Sequence, residues 1–335
     1  MLEEYVKFYY SALGNKEKEI YKVLYNAFRN KEKDIRIYVN PDEITIKDIN
    51  DIAIAVYNDT PSFYYLDLSH YKYMELLDGF EYTQEYIYTD EQIAKFDGLI
   101  MNGLKMFRKT YICEGMSDYE KELVIHDYLV KTIKYDYDAI DDNKPRIDEA
   151  FNILGALIKK KAVCWGIACA FKLLCDYCKV KCFVVVGNSL PSDGDSDHAW
   201  NIVKIENKEY HVDVTWDLRD KGDISFCYDY FNLDDHLIKM NHTWDNDLYP
   251  VCCDIKYNYY YRNKLFVKDI SEIKNFVKEK LKQKETYIAF KFANDMPSKE
   301  KICQEISDGF MSAFKFNSYA YMVSEKTHNI YIELR

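Results

Sequence analysis

Three residue types within the stretch 162–216 could together carry out a reaction. Cys164 stands in Ala-Val-Cys-Trp-Gly, His198 heads His-Ala-Trp-Asn201, and Asp213 lies in Val-Asp-Val-Thr-Trp216. A thiol, an imidazole and a carboxylate supply a nucleophile, a base and a group that orients the base, the parts of acyl transfer through a thioester. Each also has a plainer reading. A cysteine is commonly a small buried apolar residue, and a histidine or aspartate in a strand can simply be packed or solvated.

The neighbouring residues predict what would position the three. Val163 and Gly166 are poor helix-interior residues and Ala168–Leu174 are good ones, so a helix begins at or beside Cys164. Unpaired N–H groups and the dipole at a helix start favour a thiolate and can receive an oxyanion. Lys159, Lys160 and Lys161 just upstream add positive potential. Ile167, Ala170, Phe171, Leu174 and Cys178 share one helical face, which makes Cys178 a core residue. Cys175 and Cys178 have the spacing of a zinc or redox pair. No second pair follows at ribbon spacing, so neither a metal nor a cofactor is expected.

Cys182–Val186 is a continuous apolar run, the pattern of a strand buried on both faces. Pro191-Ser-Asp-Gly194 is a loop signal that delivers the chain to His198. The run from His198 to Ile205 and the alternating Lys208–Val214 are joined by Glu206-Asn207, which predicts a hairpin. A two-residue turn sets Ile205 opposite Lys208 and His198 opposite Thr215. Asp213 then lies two residues along on the same face, a diagonal of about 7–8 Å that the two side chains span. A four-residue loop would set the two directly opposite, and a three-residue loop would part them. His211 competes on Asp213's face but is mid-strand, so His198 is the preferred base. Trp165, Trp200 and Trp216 each lie within three residues of the trio, where their rings could wall a substrate cleft or fill a core.

These three motifs resemble, in order and spacing, the transglutaminase-like superfamily of papain-type folds, bacterial members included. The likeness covers roughly residues 115–250, including the helix that opens at Ser117-Asp-Tyr-Glu120 and a less specific tail, Asn241-His-Thr-Trp-Asp-Asn-Asp-Leu-Tyr-Pro250. It implies Cys164 as nucleophile, His198 as general base and acid, and Asp213 as orienter. It also implies an α+β core in which a Cys-bearing helix packs on an antiparallel sheet. Protein or peptide carboxamides would be the substrates, with crosslinking, deamidation or proteolysis as outcomes. Trp165 is closer to animal transglutaminases and papain-like proteases than to many bacterial members. Six residues before Cys164 stands Ile158, which offers no side-chain donor for an oxyanion. The rival reading is a catalytically idle peptide-binding module that keeps the same geometry.

The remainder of the chain sets bounds on these readings. Its 335 residues are 48% apolar, enough for a sizeable core, and predict an α/β accessory region at 1–115, the core at 116–250 and a small α/β unit at 251–335. A net charge of −11 argues against a nucleic-acid partner, and it fixes no oligomeric state. No run approaches the ~18 apolar residues of a membrane helix. The first residues lack a signal-peptide pattern, so the default compartment is the cytoplasm, or outside the cell if a leader was removed. Ten cysteines, several inside apolar runs, read as reduced thiols. Asp193-Gly-Asp195-Ser-Asp197 is too short for a calcium loop.

Helices are expected in residues 3–30, at Ile46–Tyr57, Asp90–Lys109 and Asp148–Lys159, and after the capping box at Ser117. His126 falls on the apolar stripe of the last of these and reads as a packed histidine. Strands are expected at Asp34–Val39, Phe63–Leu66 and Tyr82–Tyr88, and a loop at Asn241–Tyr249. The C-terminal unit reads as strands at Lys264–Lys268 and Tyr287–Phe292, a helical face of Ile273, Phe276, Val277 and Leu281, a helix at Lys299–Phe314, and a closing hairpin.

Overall fold

The structure is a computed structural model that describes residues 6–141, 143–144, 148–190, 196–218, 228–292, 296–313, 319–324 and 328–334. The loop signal at 191–194, most of the acidic run at 193–197, Cys227 and Phe314 lie outside the described residues.

The N-terminal third runs α1 (Phe8–Ala12), α2 (Asn15–Asn30), β1 (Asp34–Tyr38), α3 (Ile46–Asp59), β2 (Leu66–Leu76), β3 (Gly79–Tyr86) and α4 (Asp90–Tyr111), with an antiparallel sheet ordered β1-β3-β2. Thr45 and Thr89 start α3 and α4 with capping boxes, each hydroxyl accepting the third backbone N–H of its helix. The expected strand at Phe63–Leu66 is displaced. Pro61 opens a tight helical turn through Phe63, where its fixed φ is preorganised, and the strand begins only at Leu66.

The central region follows as α5 (Asp118–Thr132), β4 (Lys134–Tyr135), β5 (Lys161–Ala162), α6 (Cys164–Cys178), β6 (Lys181–Ser189), β7 (Ser196–Ile205), β8 (Lys208–Val212), α7 (Val214–Asp217), β9 (Phe231–Leu233), α8 (Asp235–Ile238) and β10 (His242–Trp244). Its sheet is antiparallel, ordered β10-β6-β7-β8-β9. The fold class is α+β, with the Cys-bearing helix packed on this sheet. Almost all of α6 is buried, because α5 and the N-terminal third cover the sides that the sheet leaves open.

Two expectations fail here for tertiary reasons. Asp148–Lys159 is not one helix but a tight turn at Asp148–Phe151 and a wide π-type turn at Gly155–Lys159. Backbone from Glu149 and Lys161 closes on Gly155, where a Cβ would lie 2.4 Å and 2.8 Å from their carbonyl oxygens. Asn241–Tyr249 is not all loop, since β10 pairs with Gly187–Ser189 of β6 and so forms the sheet's fifth strand.

Beyond β10, the edge of β6 is closed by two tyrosines. The Tyr9 hydroxyl donates to Val184 O at 3.0 Å, Val186 N–H donates to the Tyr249 hydroxyl at 3.0 Å, and the two hydroxyls meet at 2.8 Å. The N-terminal third is fixed to α6 as well. Lys172 Nζ, fully buried, reaches Val6 O at 2.9 Å and Asp176 at 2.6 Å. Asp59 accepts the N–H groups of Tyr9 and Tyr10.

The C-terminal residues form α9 (Tyr259–Arg262), β11 (Phe266–Val267), α10 (Ile273–Lys282), β12 (Tyr287–Phe292), α11 (Lys299–Ala313), β13 (Tyr319–Ser324) and β14 (Asn329–Leu334), with sheet order β11-β12-β14-β13. Ile273, Val277, Ile302, Ile306, Ile330 and Ile332 build a separate apolar core. Tyr260 and Tyr331 connect it to the central region by hydrogen bonds to Asp229.

One buried acid makes stability depend on pH. Glu122 on α5 has no exposure, and Asn232 Nδ2 donates to its Oε2 at 2.9 Å. Burial pushes its carboxyl up to about 8, against the opposing pull of Asn232 and His126. A folded value above the unfolded one means that the unfolded chain loses this proton first. Stability therefore falls as pH rises from about 4.5 toward 8, by up to roughly 1.4 kcal/mol per pH unit from this group alone. Glu122→Gln should flatten that slope and leave the protein more stable than wild type at pH 8 in urea denaturation. A variant that melts in parallel with wild type across this range would remove Glu122 as the cause.

Candidate functional site

Cys164 is the first residue of α6, and Val163 before it places no side-chain cap on the helix. The opening N–H groups of a helix have no intrahelical acceptor, so the half-buried thiol stands at the helix end that offers donors. Gly166, one turn in, lets the 150–152 backbone approach, and a Cβ there would lie 2.5 Å from Ala150 O.

His198 comes from β7, opposite Gly187 of β6. Glu206 and Asn207 both adopt left-handed φ values, 47° and 64°, as a two-residue turn of this hand requires, and Ile205 pairs with Lys208. The hairpin register is therefore the expected one. Pairing nevertheless stops at Val212, so Asp213 is not a strand residue facing Thr215's neighbours. Its N–H is taken by Tyr230 O, and its side chain caps α7, Oδ1 accepting Trp216 N–H at 3.1 Å. The turn swings Oδ2 to 2.7 Å from His198 Nε2.

The pair is enclosed, with His198 6% exposed and Asp213 0%. Burial alone would push the imidazole down, but the Asp213 charge and hydrogen bond, followed by the Cys164 thiol, outweigh it and raise His198 to about 10. Burial would raise Asp213, yet His198 and His242 hold it below the usual carboxylate range. With Nε2 committed to Asp213, Nδ1 is the ring nitrogen left for another partner, and the Cys164 thiol is near enough to help raise the ring. Asn201 fixes helix to strand, its Nδ2 donating to Ala168 O of α6 at 3.0 Å. A thiol, an imidazole and a carboxylate thus come together where a helix start meets a strand start.

The tryptophans divide. Trp165 is half-buried and donates its indole N–H to Asn58 Oδ1 at 2.9 Å. Trp216 is half-buried, 5.9 Å from the His198 ring between centroids. Trp200 departs from its expected substrate-facing place. It is 1% exposed, fills the space beside Gly187, and donates its N–H to His211 Nδ1 at 3.0 Å, so no ring face remains for a ligand. His211 has no exposure either and lies 2.9 Å from Asp235 through Nε2.

Two groups in this region have ligand atoms close enough for a metal, namely His198, Asp213, His242 and His211, Asp235, Cys252. At the second, the Trp200 N–H enters Nδ1, so the neutral ring must carry its proton on Nε2, where a metal would have to bind. At the first, separations of 2.7 and 3.1 Å are those of hydrogen bonds. Cys175 and Cys178 are both buried, and burial raises both thiols, Cys175 beside Cys182. Among the described residues all cysteines are free thiols.

Three neighbours of the trio are not among the residues expected from sequence. His242 contacts Asp213 from β10, in the segment read as loop. Tyr135 lies close enough for its hydroxyl to be raised by burial first and then by Cys164. Asp217 at the end of α7 holds His126 at 2.9 Å and Tyr230 N–H at 3.1 Å. The Asp-x-x-x-Asp spacing of 213 and 217 was the available signal for the last. His126 is packed and hydrogen-bonded.

The site is a thiol at a helix start beside a strand-borne histidine and its carboxylate. Residues 106–214 match the family model of the transglutaminase-like superfamily. Among curated proteins the chain is 31% identical to the kyphoscoliosis peptidase of Homo sapiens over 159 residues, which are 45% of this chain and 22% of that protein. It is also 31% identical to the Mus musculus kyphoscoliosis peptidase over 125 residues, 35% of this chain and 18% of that protein. The chain thus spans about a fifth of the length of these relatives. Among solved structures it is similar to a TGase at 15% identity and a TM-score of 0.32, over 56% of this chain and 51% of that one. A candidate cysteine protease from Cytophaga hutchinsonii is similar at 14% identity and a TM-score of 0.26, over 44% of this chain and 61% of that one. No helix among the described residues is long and apolar enough to cross a membrane.

Proposed function

We propose that the chain is a cysteine-dependent acyl-transfer enzyme acting on peptide or protein carboxamides. The observation that carries this reading is the buried His198–Asp213 pair set against the Cys164 thiol at the start of α6. Cys164 Sγ attacks the carbonyl carbon, and the opening N–H groups of α6 receive the oxyanion. His198 passes its proton to the departing amine as the C–N bond breaks, leaving a thioester. An incoming amine or water, deprotonated by His198, then frees Cys164. The amine gives a crosslink, and water gives deamidation or proteolysis. Asp213 holds the ring in place. Trp165 and Trp216, partly exposed beside the trio, are the rings placed to face a substrate. The similarity to peptidases supports protein substrates. In domain terms the catalytic core occupies 116–250. Residues 1–115 share its apolar core, and 251–335 have one of their own.

Iodoacetamide labelling of the full chain at pH 6, read by peptide mapping, tests this. Cys164 should react at least about tenfold faster than the exposed thiols Cys113 and Cys253, and His198→Ala should abolish the difference. Equal labelling of Cys169 and Cys164, untouched by that substitution, would leave a peptide-binding module as the better account. Turnover of an amide substrate with and without a primary amine then separates transferase from hydrolase.

A further inference from the structure

Asp213 Oδ2 faces two ring nitrogens, His198 Nε2 at 2.7 Å and His242 Nε2 at 3.1 Å. His242 has no exposure. β10 sets it opposite Ser189 of β6, and the rings of Trp216, Trp200 and Tyr230 lie 4.7, 5.0 and 5.6 Å from it between centroids. On its far side Nδ1 is 2.7 Å from Asn241 Oδ1, and Asn241 Nδ2 is 2.7 Å from the Tyr230 hydroxyl.

The protons in this chain can be followed. With the Asn241 amide so placed, both nitrogens of His242 face acceptors, and only an imidazolium satisfies both. Burial opposes that charge and lowers His242. Exchanging O and N of the Asn241 amide moves no heavy atom appreciably and resolves the conflict. Tyr230 O–H then donates to Oδ1, Nδ2–H donates to His242 Nδ1, and the neutral ring donates Nε2–H to Asp213. Either arrangement ends with an Nε2–H on the carboxylate.

We propose that His242 is a positioning residue for the His198–Asp213 pair, holding the same carboxylate oxygen that His198 bonds. This rests on the acyl-transfer reading above. With Oδ1 bonded to Trp216 N–H and Oδ2 to two imidazoles, Asp213 can neither rotate about its last torsion nor easily take up a proton. It stays the acceptor for His198 at every stage of a cycle. The other titratable groups facing His242 are His198 and His211 on the sheet and Tyr230 before β9.

The test is the rate of Cys164 alkylation by iodoacetamide from pH 4.5 to 9 on the full chain, with Cys113 as internal comparator. His242→Ala should move the acid limb of the profile up by about one pH unit, the size of one lost hydrogen bond to a charged group. His242→Gln, whose amide N–H can reach the carboxylate, should restore most of it. An unmoved limb in His242→Ala overturns the proposal, as does a glutamine variant that behaves like alanine, because packing is then the role. If the alanine variant does not fold, Tyr230→Phe decides, with a smaller shift in the same direction expected and none overturning it. A wild type whose Cys164 reacts no faster than Cys113 at pH 6 refutes the acyl-transfer reading itself. A null result for His242 in a protein that still responds to His198→Ala refutes only this inference.

Discussion

Asp213→Ala is expected to remove activity and much of the stability together. The activity loss should be about 10⁴ in kcat, the scale seen when the orienting carboxylate of such a trio is neutralised. The stability loss has a separate origin. Asp213 accepts from His198 and His242, both buried with it, and from the Trp216 N–H, and alanine leaves these donors without that acceptor. Unsatisfied buried polar groups cost about 1–3 kcal/mol each, so a total near 3–5 kcal/mol is expected after partial relaxation. Asp213→Asn keeps the shape but sets its NH2 either against the two imidazole nitrogens or against the Trp216 N–H, keeping an acceptor on the other side, so it should be milder for stability than for kcat. Urea denaturation and single-turnover kinetics read the two effects apart. An alanine variant within tenfold of wild-type kcat would falsify the role given to Asp213, whatever its melting temperature.

His126→Ala should be the most damaging change outside the trio, at about 3–5 kcal/mol. Its ring and the Asp217 carboxylate are fully buried and 2.9 Å apart, and truncation leaves that carboxylate without its cation. Burial pulls His126 down, but Asp127 and Asp217 outweigh it and raise it to about 9. A raised histidine stabilises fully below about 6.5, and its contribution is lost as pH rises through 9. The gap between wild type and His126→Ala should therefore be widest at about pH 6.5 and narrow steadily toward pH 9.5. Asp217 closes the single turn that Asp213 opens, so activity should fall as well. A His126→Ala/Asp217→Ala cycle in urea measures the coupling, and additive losses would show that the two do not act as a unit.

What the sequence conveyed about this site depended on how local the determinants were. The start of α6 at Cys164 follows from residue types within one turn. The β7–β8 register follows from Glu206-Asn207, two residues able to take left-handed φ. Asp213 was placed in a strand because Val212 and Val214 alternate around it. In the structure a carbonyl from Tyr230, seventeen residues away, takes its N–H and ends the ladder. The helix expected at 148–159 failed for a similar reason, since the backbone crowding Gly155 comes from the turns on either side of it. His242 was hardest to see. Its strand has three residues, it exists only because β6 offers an edge, and three-residue strands carry no periodicity. Trp200 shows the converse, a residue placed correctly on the chain whose neighbours in space turned it inward.

The tyrosine closure of β6 restricts how any other chain can approach. Val184 C=O and Val186 N–H would be the template for an added strand, and both are already occupied by hydroxyls. A polypeptide brought to Cys164 cannot be registered by backbone pairing along that rim. Under the proposed function, selection would then rest on the substrate's side chains and on the scissile carbonyl itself. The same closure denies misfolded copies a place to stack, a safeguard against fibril-like association that requires no charged residue in the strand.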